Sequence, residues 1–490
     1  MRNTILNSRK IIVLLIALML LSLGLAACGR GNDDNNGDEA DNYQDTVVAD
    51  NNGADATPDV IPAPTIDMGG RTITSATWWN IWGDRHTGSE PPDPATASNY
   101  LVDRMQWENM RRIEQEFNVS FDYTIIDSGS LIPTLLASVM AGDSLGDVVY
   151  LLGPQTFSAI IGDLLHGASA FAAPDSDMLN ARNFVVPRAN MNGDIWNFGD
   201  NWPMVHGMGM GVNLDIINAI GAPNPVDLFN AGEWTWDAMR EIMVMATRDT
   251  TGDGVIDQFG ISGQPHNIMI NLIAANNGHL VNPETLTYGF GDPNTLEAFE
   301  FIYEIFNTLN VWHYDVGSDN PMGDWGRNMW SFREGRSALF TAATWLVESS
   351  EHMAFNYAFV PYPIGPSNPY NYVRMYGLPS GYAIPITTDS PQDVFRIMEE
   401  IFSWPGDEPE LVTATAINYA SPAWLTEEDI WRVIYVGENF KQDIGMAIHG
   451  YYWVLGDFAY NFWHGHMTVS QAVETFRQQQ QEMIDIAFRD

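Results

Sequence analysis

The chain predicts an α/β fold of two or more lobes, and three observations carry that expectation. Between Thr72 and Leu152 strand-type and helix-type patterns alternate, as βαβ crossovers require. Asp147-Val148-Val149-Tyr150-Leu151-Leu152 is a continuous apolar run, the pattern of a parallel strand covered on both faces. The body, about 68–490, is longer than one hydrophobic core usually covers. An apolar content of 45% and 17 tryptophans argue for a folded body rather than a disordered one.

Residues 1–27 read as a leader. Arg2, Arg9 and Lys10 make a basic start, Ile11 to Leu23 an apolar core, and Gly24-Leu25-Ala26-Ala27 a small-residue cut site before Cys28. The apolar run is short of the roughly 20 residues that a membrane span needs. Leu-Ala-Ala-Cys resembles the lipobox of bacterial lipoproteins. That resemblance implies that Cys28, the only cysteine, is lipidated and becomes the mature N-terminus. It implies a location outside the cytoplasmic membrane, held to its outer face by acyl chains. With no second cysteine, export brings no internal disulfide.

Residues 28–67 read as a disordered acidic tether of Asn, Asp, Gly, Ala and Pro, too polar to bury a core. The whole chain is strongly acidic, with 22 basic against 62 acidic residues and a formal net charge of −40. Losing the leader removes three of the basic residues. Such a surface repels phosphate backbones, so nucleic acid is not an expected partner, and the membrane is contacted through the anchor alone. The only lysines are Lys10 and Lys441.

Along the body, Thr72 to Trp79 reads as a strand. Trp107, Met110, Ile113 and Phe117 recur at helical spacing, and Val119, Phe121, Tyr123 and Ile125 alternate as a half-buried strand. A second helix carries Leu131, Leu135, Leu136, Val139 and Met140 and stops at Gly142. Further on, Thr235 caps a helix through Trp236, Met239, Ile242, Met243 and Met245, and Asp292-Pro293 opens another. Ala338–Thr341 and Phe355–Val360 read as strands. Thr468-Val469-Ser470-Gln471 is a capping box before an amphipathic last helix.

Several segments, in order along nearly the whole body, resemble the family-one extracellular solute-binding proteins. These are sugar-binding lipoproteins of bacterial ABC importers, of which the maltodextrin-binding protein is a familiar member. Leu135 to Asp143 followed by Gly146-Asp147-Val148-Val149 resembles the family's helix, Ala-Gly-Asp turn and Pro-Asp strand. Gly232-Glu233-Trp234-Thr235-Trp236-Asp237 resembles its Trp-Thr-Trp-Asp helix start, and Ala274-Ala275-Asn276-Asn277-Gly278 its Ala-Asn-Gly-Gly turn. Phe332-Arg333-Glu334-Gly335-Arg336-Ser337-Ala338-Leu339 resembles its Phe-x-x-Gly-x-x-Ala-Met segment. The resemblance implies a two-lobed periplasmic-binding-protein architecture of type II, with ligand in an interlobe cleft that closes by hinge motion. It places one lobe at 68–190 with part of 380–430, and the other at 191–379 with part of 431–490. It implies a monomeric, non-enzymatic protein that hands a sugar or oligosaccharide to ABC permease subunits.

Sugar sites pair aromatic faces, which cover C–H faces of pyranose rings, with planar amides and charged groups that meet hydroxyls. Candidates follow from place in the chain. Trp79 and Asp84 follow the first strand, and Gln155 follows the buried strand ending at Leu152. Trp202 and His206 lie where the resemblance puts a lobe crossing. There the sequence reads Met208-Gly209-Met210-Gly211 in place of the family's usual Tyr-Asn. Gln264, His266 and Asn267 precede the Ala-Asn-Asn-Gly turn, and Trp345, Tyr376 and Trp453 complete the set. Most other tryptophans are expected in the core. Separately, Asp249, Thr251, Asp253, Val255 and Asp257 match the oxygen positions of a calcium loop around Gly254. Gly260 stands where the bidentate glutamate belongs, so a structural Ca²⁺ and a plain acidic turn are both open. His464 and His466 are a weaker pair with no third ligand in view. No Gly-x-Ser-x-Gly, His-Glu-x-x-His, Walker lysine loop or Gly-x-Gly-x-x-Gly occurs, and no cofactor is required. Two alternatives stand beside the transport reading: a surface carbohydrate-active hydrolase or lyase, and a surface-binding lipoprotein that transports nothing.

Overall fold

A computed structural model describes residues 66–78, 90–93, 100–172, 176, 194–198, 208–313, 330–343, 353–368, 372, 374–375, 380–402, 426–441, 443–446, 448 and 451–488. Two five-stranded sheets organise them. In the first, Arg71–Thr77 lies between Val119–Ile125 and Val148–Leu152, parallel to both. Ser380–Pro385 returns late in the chain and runs antiparallel to Val148–Leu152 and to the short strand Leu165–His166. Registers such as Ile73 opposite Phe121 and Ala76 opposite Val149 put apolar side chains together. In the second sheet Met208–Asn213 is flanked on both sides by antiparallel neighbours, Tyr357–Val360 and Ser337–Ala343. Phe259–Ser262 then pairs parallel to Ser337–Ala343 and to Trp312–His313.

Helices form where the apolar spacing asked for them. Tyr100–Phe117 buries Met110, Ile113 and Phe117 against the first sheet, beside Val394, Phe395, Ile397 and Met398 of the helix Pro391–Phe402. Leu131–Ala141 buries Leu131 and Leu135 and stops at Gly142, whose φ of 73° ends the helix in the left-handed region. Leu136 and Met140 are exposed, against expectation. Leu136 lies about 100° and Met140 about 140° around the helix from Leu135, on its outer side. Met245 turns outward for the same reason, off the face of Met239, Ile242, Met243 and Ala246. Ile125 ends an edge strand and is also exposed. Thr235 caps Trp236–Ala246 by accepting from Ala238 N at 3.3 Å. At Thr468 the capping box closes, with Gln471 N donating to Oγ1 at 3.3 Å and Thr468 N donating to the Gln471 side chain at 3.0 Å.

Buried polar groups tie the returning segments to their sheets. Asp147 accepts from Thr74 N at 2.8 Å and pairs with Arg71, while Thr388 Oγ1 donates to Asp147 O at 3.0 Å. On the second sheet the edge strand Tyr357–Val360 is covered by the helix Glu427–Glu438. Asp429 Oδ1 accepts from Phe359 N at 2.9 Å, Arg432 Nε donates to Phe359 O at 2.6 Å, and the two side chains pair at 2.5 Å. Both lie almost wholly buried. Among the buried tryptophans, Trp234 is fully enclosed and donates its indole N–H to Pro361 O at 2.9 Å. No helix among the described residues is long and apolar enough to cross a membrane.

Candidate functional site

Open α/β sheets receive ligands beyond the carboxyl ends of their parallel strands. Each sheet here has such an edge. On the first, Arg71–Thr77 leads to Trp78, which packs near Tyr150 with ring centroids 6.4 Å apart. Val148–Leu152 leads directly into the helix Gly153–Ile161. Gln155 sits in that helix's first turn. Its Oε1 accepts from Leu152 N at 2.9 Å, and its Nε2 donates to Ser128 O at 2.8 Å and Ser128 Oγ at 3.2 Å. Both ends of the amide therefore hold local backbone and turn groups. Next to it Thr156 Oγ1 donates to Leu152 O at 3.1 Å and accepts from Asn197 Nδ2 at 3.2 Å.

On the second sheet, Phe259–Ser262 leads through Gly263 into the helix Pro265–Ala275. Gly263 has φ 124°, and a Cβ there would overlap the Thr341 hydroxyl. Only glycine lets the two strand ends approach this closely. Around that contact lie buried polar side chains: Ser262, Gln264, His266, Asn267, Asn271, Ser337 and Thr341. Asn267 Nδ2 donates to Gln264 Oε1 at 2.9 Å, Asn271 Nδ2 donates to Asn267 O at 2.9 Å, and Ser262 and Ser337 share a bond of 2.7 Å. Tyr362 is fully buried, and burial pushes its phenol pKa up while the Thr341 hydroxyl pulls the other way. Burial also lowers the His266 pKa to about 4, so the imidazole is neutral at neutral pH. The cluster is polar and uncharged. Groups of this kind match hydroxyls rather than carboxylates or amines.

The structure thus brings Gln264, His266 and Asn267 to one strand end and Gln155 to the other. Trp79, Asp84, Trp202, His206, Trp345 and Tyr376 lie outside the described residues, as does Cys28 with the leader and tether. Trp453 is in the first turn of the helix Tyr451–Trp463, and its side chain lies outside them too. Sequence reasoning did not single out Gly263, Asn271, Thr341 or Tyr362. Asn271 carried a usable signal, a lone amide in the apolar run Ile268 to Ala275.

The Asp249 loop is an exposed turn between Trp236–Ala246 and Phe259–Ser262. Asp249 accepts backbone N–H bonds from Thr251, Gly252 and Gly254 at 3.0, 2.6 and 2.6 Å. These hold its carboxyl below the usual range, Gly254 most strongly. Asp253 accepts from Val255 N at 2.8 Å, and Asp257 from Thr250 N at 2.8 Å. The acids are engaged one by one with neighbouring donors. Among the described residues, no group of three or more His, Cys, Asp or Glu side chains is placed to hold a metal ion. The expected set Asp249, Thr251, Asp253, Val255 and Asp257 also uses a hydroxyl and a backbone carbonyl, so a structural Ca²⁺ and a plain acidic turn both remain open here. His464 and His466 are exposed, with rings stacked 5.3 Å apart.

No family model matches the chain, and no curated protein matches it. Solved structures do. The sugar-binding protein MalE of Xanthomonas citri superposes with a TM-score of 0.59 at 14% identity, covering 85% of this chain and 98% of that one. The cyclic alpha-maltosyl-1,6-maltose binding protein of Arthrobacter globiformis gives 0.59 at 14%, over 85% of this chain and 100% of that one. An ABC substrate-binding protein of Listeria monocytogenes in complex with cycloalternan gives 0.56 at 12%, over 86% and 100%. The chain therefore has the two-lobed α/β fold of the sugar-binding solute-binding proteins of ABC transporters.

Proposed function

We propose that the protein is a lipid-anchored, extracytoplasmic solute-binding protein that captures a sugar or oligosaccharide and delivers it to an ABC importer. One observation carries the reading: a set of buried, uncharged polar side chains gathers at a strand end of a fold whose solved members bind sugars. Neutral His266, with the amides of Gln264 and Asn267 and the Thr341 hydroxyl, supplies donors and acceptors without a net charge. Trp79 and Trp345 are the aromatic faces in this reading, one from each lobe. Cys28 is the anchor, and 28–67 the tether that stands the body off the bilayer. The body is a monomer with lobes near 68–190 and 191–379, and it catalyses no reaction.

The test is a thermal-shift screen of the body against mono- and oligosaccharides, followed by titration of the best ligand. Trp79→Ala and Trp345→Ala are then measured for affinity and for unliganded stability. Cleft rings lose about 1–3 kcal/mol of binding and little stability. Core rings lose roughly 3–5 kcal/mol of stability instead. A chain that binds no glycan, or that turns one over, overturns the reading.

A further inference from the structure

We infer that the folded body depends on mobile cations from the medium, so that its stability rises and falls with ionic strength. The whole charged surface carries this linkage, independently of any sugar. With 62 acidic against 22 basic residues, pairing every base with an acid would still leave the net charge of −40. Folding gathers charges that the unfolded chain holds farther apart, and a large net charge works against the compact state.

The protein's own cations are engaged close to home. Arg112 pairs with Glu116 at 2.5 Å and with Glu400 at 3.2 Å, Arg240 with Glu304 at 3.0 Å, Arg432 with Asp429 at 2.5 Å, and Arg477 with Glu474 at 2.8 Å. Most such pairs among the described residues join neighbours three or four apart on one helix. They neutralise an immediate neighbour and leave the wider surface negative. Glu241, Glu284, Glu300 and Glu482 are exposed, and their carboxylates have no hydrogen-bond or ion-pair partner among the described residues. Glu300 stands three residues after Glu297 and four before Glu304, along the helix Pro293–Tyr303 and its continuation. Like charges repel at those spacings.

Helix carboxyl ends show the same shortage. The negative end of a helix dipole favours a lysine or arginine in the last turn. Among the described α-helices only Trp330–Arg333 has one. The last turn of Tyr100–Phe117 carries Glu114 and Glu116 instead, and that of Pro391–Phe402 carries Glu399 and Glu400. Cations from solution are left to balance both the surface and these ends. The Debye length falls from about 30 Å at 0.01 M salt to about 10 Å at 0.1 M, so long-range repulsion is damped over that range. Salt also weakens the exposed ion pairs. Their number is bounded by the few bases, whereas repulsion acts among all the remaining acids, so the net effect of salt is to stabilise. Outside the membrane, where the proposed function puts the body, ionic strength is set by the surroundings, and the folded fraction follows it.

The experiment is thermal unfolding of the full chain at neutral pH, with chelator present so that no calcium takes part, from about 0.01 to 0.3 M sodium chloride. The melting temperature is expected to climb by several degrees with the logarithm of the salt concentration and to level off towards the top of the range. Sucrose at matched osmolality is expected to leave it nearly unchanged. The fourfold variant Glu241→Lys, Glu284→Lys, Glu300→Lys and Glu482→Lys is expected to melt higher than the parent in the lowest salt and to depend less on salt. The matching glutamine variant is expected to fall between the two. A melting temperature that stays flat or drops as salt is added overturns the inference. So does an equal rise in sucrose, which marks exclusion of the solute from the surface rather than cation linkage. A lysine variant that folds and keeps the parent's full salt dependence overturns it as well.

Discussion

The two strand ends treat the same kind of side chain in opposite ways. At Leu152 the Gln155 amide is half-buried, and both its oxygen and its nitrogen serve the local backbone and the Ser128 turn. At Ser262 the amides of Gln264, Asn267 and Asn271 are buried among hydroxyls and a neutral histidine. A position after a strand thus does not decide whether a polar side chain recognises anything. What differs between the two ends is burial: the Gln155 amide is half-buried, whereas Gln264, Asn267 and Asn271 are buried together. In the binding reading proposed above, the second sheet carries the recognition groups and the Leu152 end serves as scaffolding.

That contrast can be broken experimentally. The largest effect is expected at Gly263, where alanine adds both positive-φ strain and overlap with Thr341. A loss of about 3 kcal/mol in urea unfolding is expected. A loss below about 1 kcal/mol would mean that the two strand ends do not need their close approach.

His266 comes next. Its folded pKa is lowered to about 4 from an ordinary 6.5, so the unfolded chain binds the proton first as pH falls. Its stabilising contribution is present above pH 6.5 and is lost between there and pH 4, a loss of about 3 kcal/mol for full burial. His266→Gln should flatten the stability profile over that window. An unchanged profile would show that the ring is not held neutral.

The direct comparison follows. Asn267→Ala is expected to weaken sugar binding by about 1–3 kcal/mol, the scale of a lost buried hydrogen-bonding group. Gln155→Ala should cost about 1 kcal/mol of stability, like a lost helix cap, and leave affinity unchanged. Titration of both variants with one sugar reads the result. The reverse pattern would exchange the roles of the two strand ends. The smallest effect is expected at the Asp249 loop. There millimolar Ca²⁺ against chelator separates the two readings: a bound ion raises the melting temperature by mass action, and a plain acidic turn leaves it unchanged.

The fold was legible because its signals are local and repeated. Period-3.6 spacing marked Met110, Ile113 and Phe117, period-2 spacing marked Val119 and Phe121, and Thr235 and Thr468 announced their caps. The misread faces, at Leu136, Met140 and Met245, are apolar residues one step off a buried row. Hydropathy alone does not distinguish them from that row. The candidate site was legible only in part. Gln264, His266 and Asn267 lie together in sequence and stay together in space. Thr341 meets Gly263 and Tyr362 only through strand pairing and packing across the second sheet, which no window of sequence displays. Gln155 carried the opposite problem. Its capping role depends on Ser128, 27 residues earlier.

The pairing of Asp429 and Arg432 with Phe359 has a consequence for proteins crowded on a surface. In the lipid-anchored reading proposed above, the molecules are confined to two dimensions and collide edge to edge more often than free ones. An unpaired strand at the rim of a sheet is a template for adding a neighbour's strand. Here one carboxylate takes the rim's amide and one guanidinium takes its carbonyl, so the helix stands in for the missing strand. At Phe359 the rim presents side chains rather than open backbone groups, which blunts it as a template for a neighbour's strand in a dense layer.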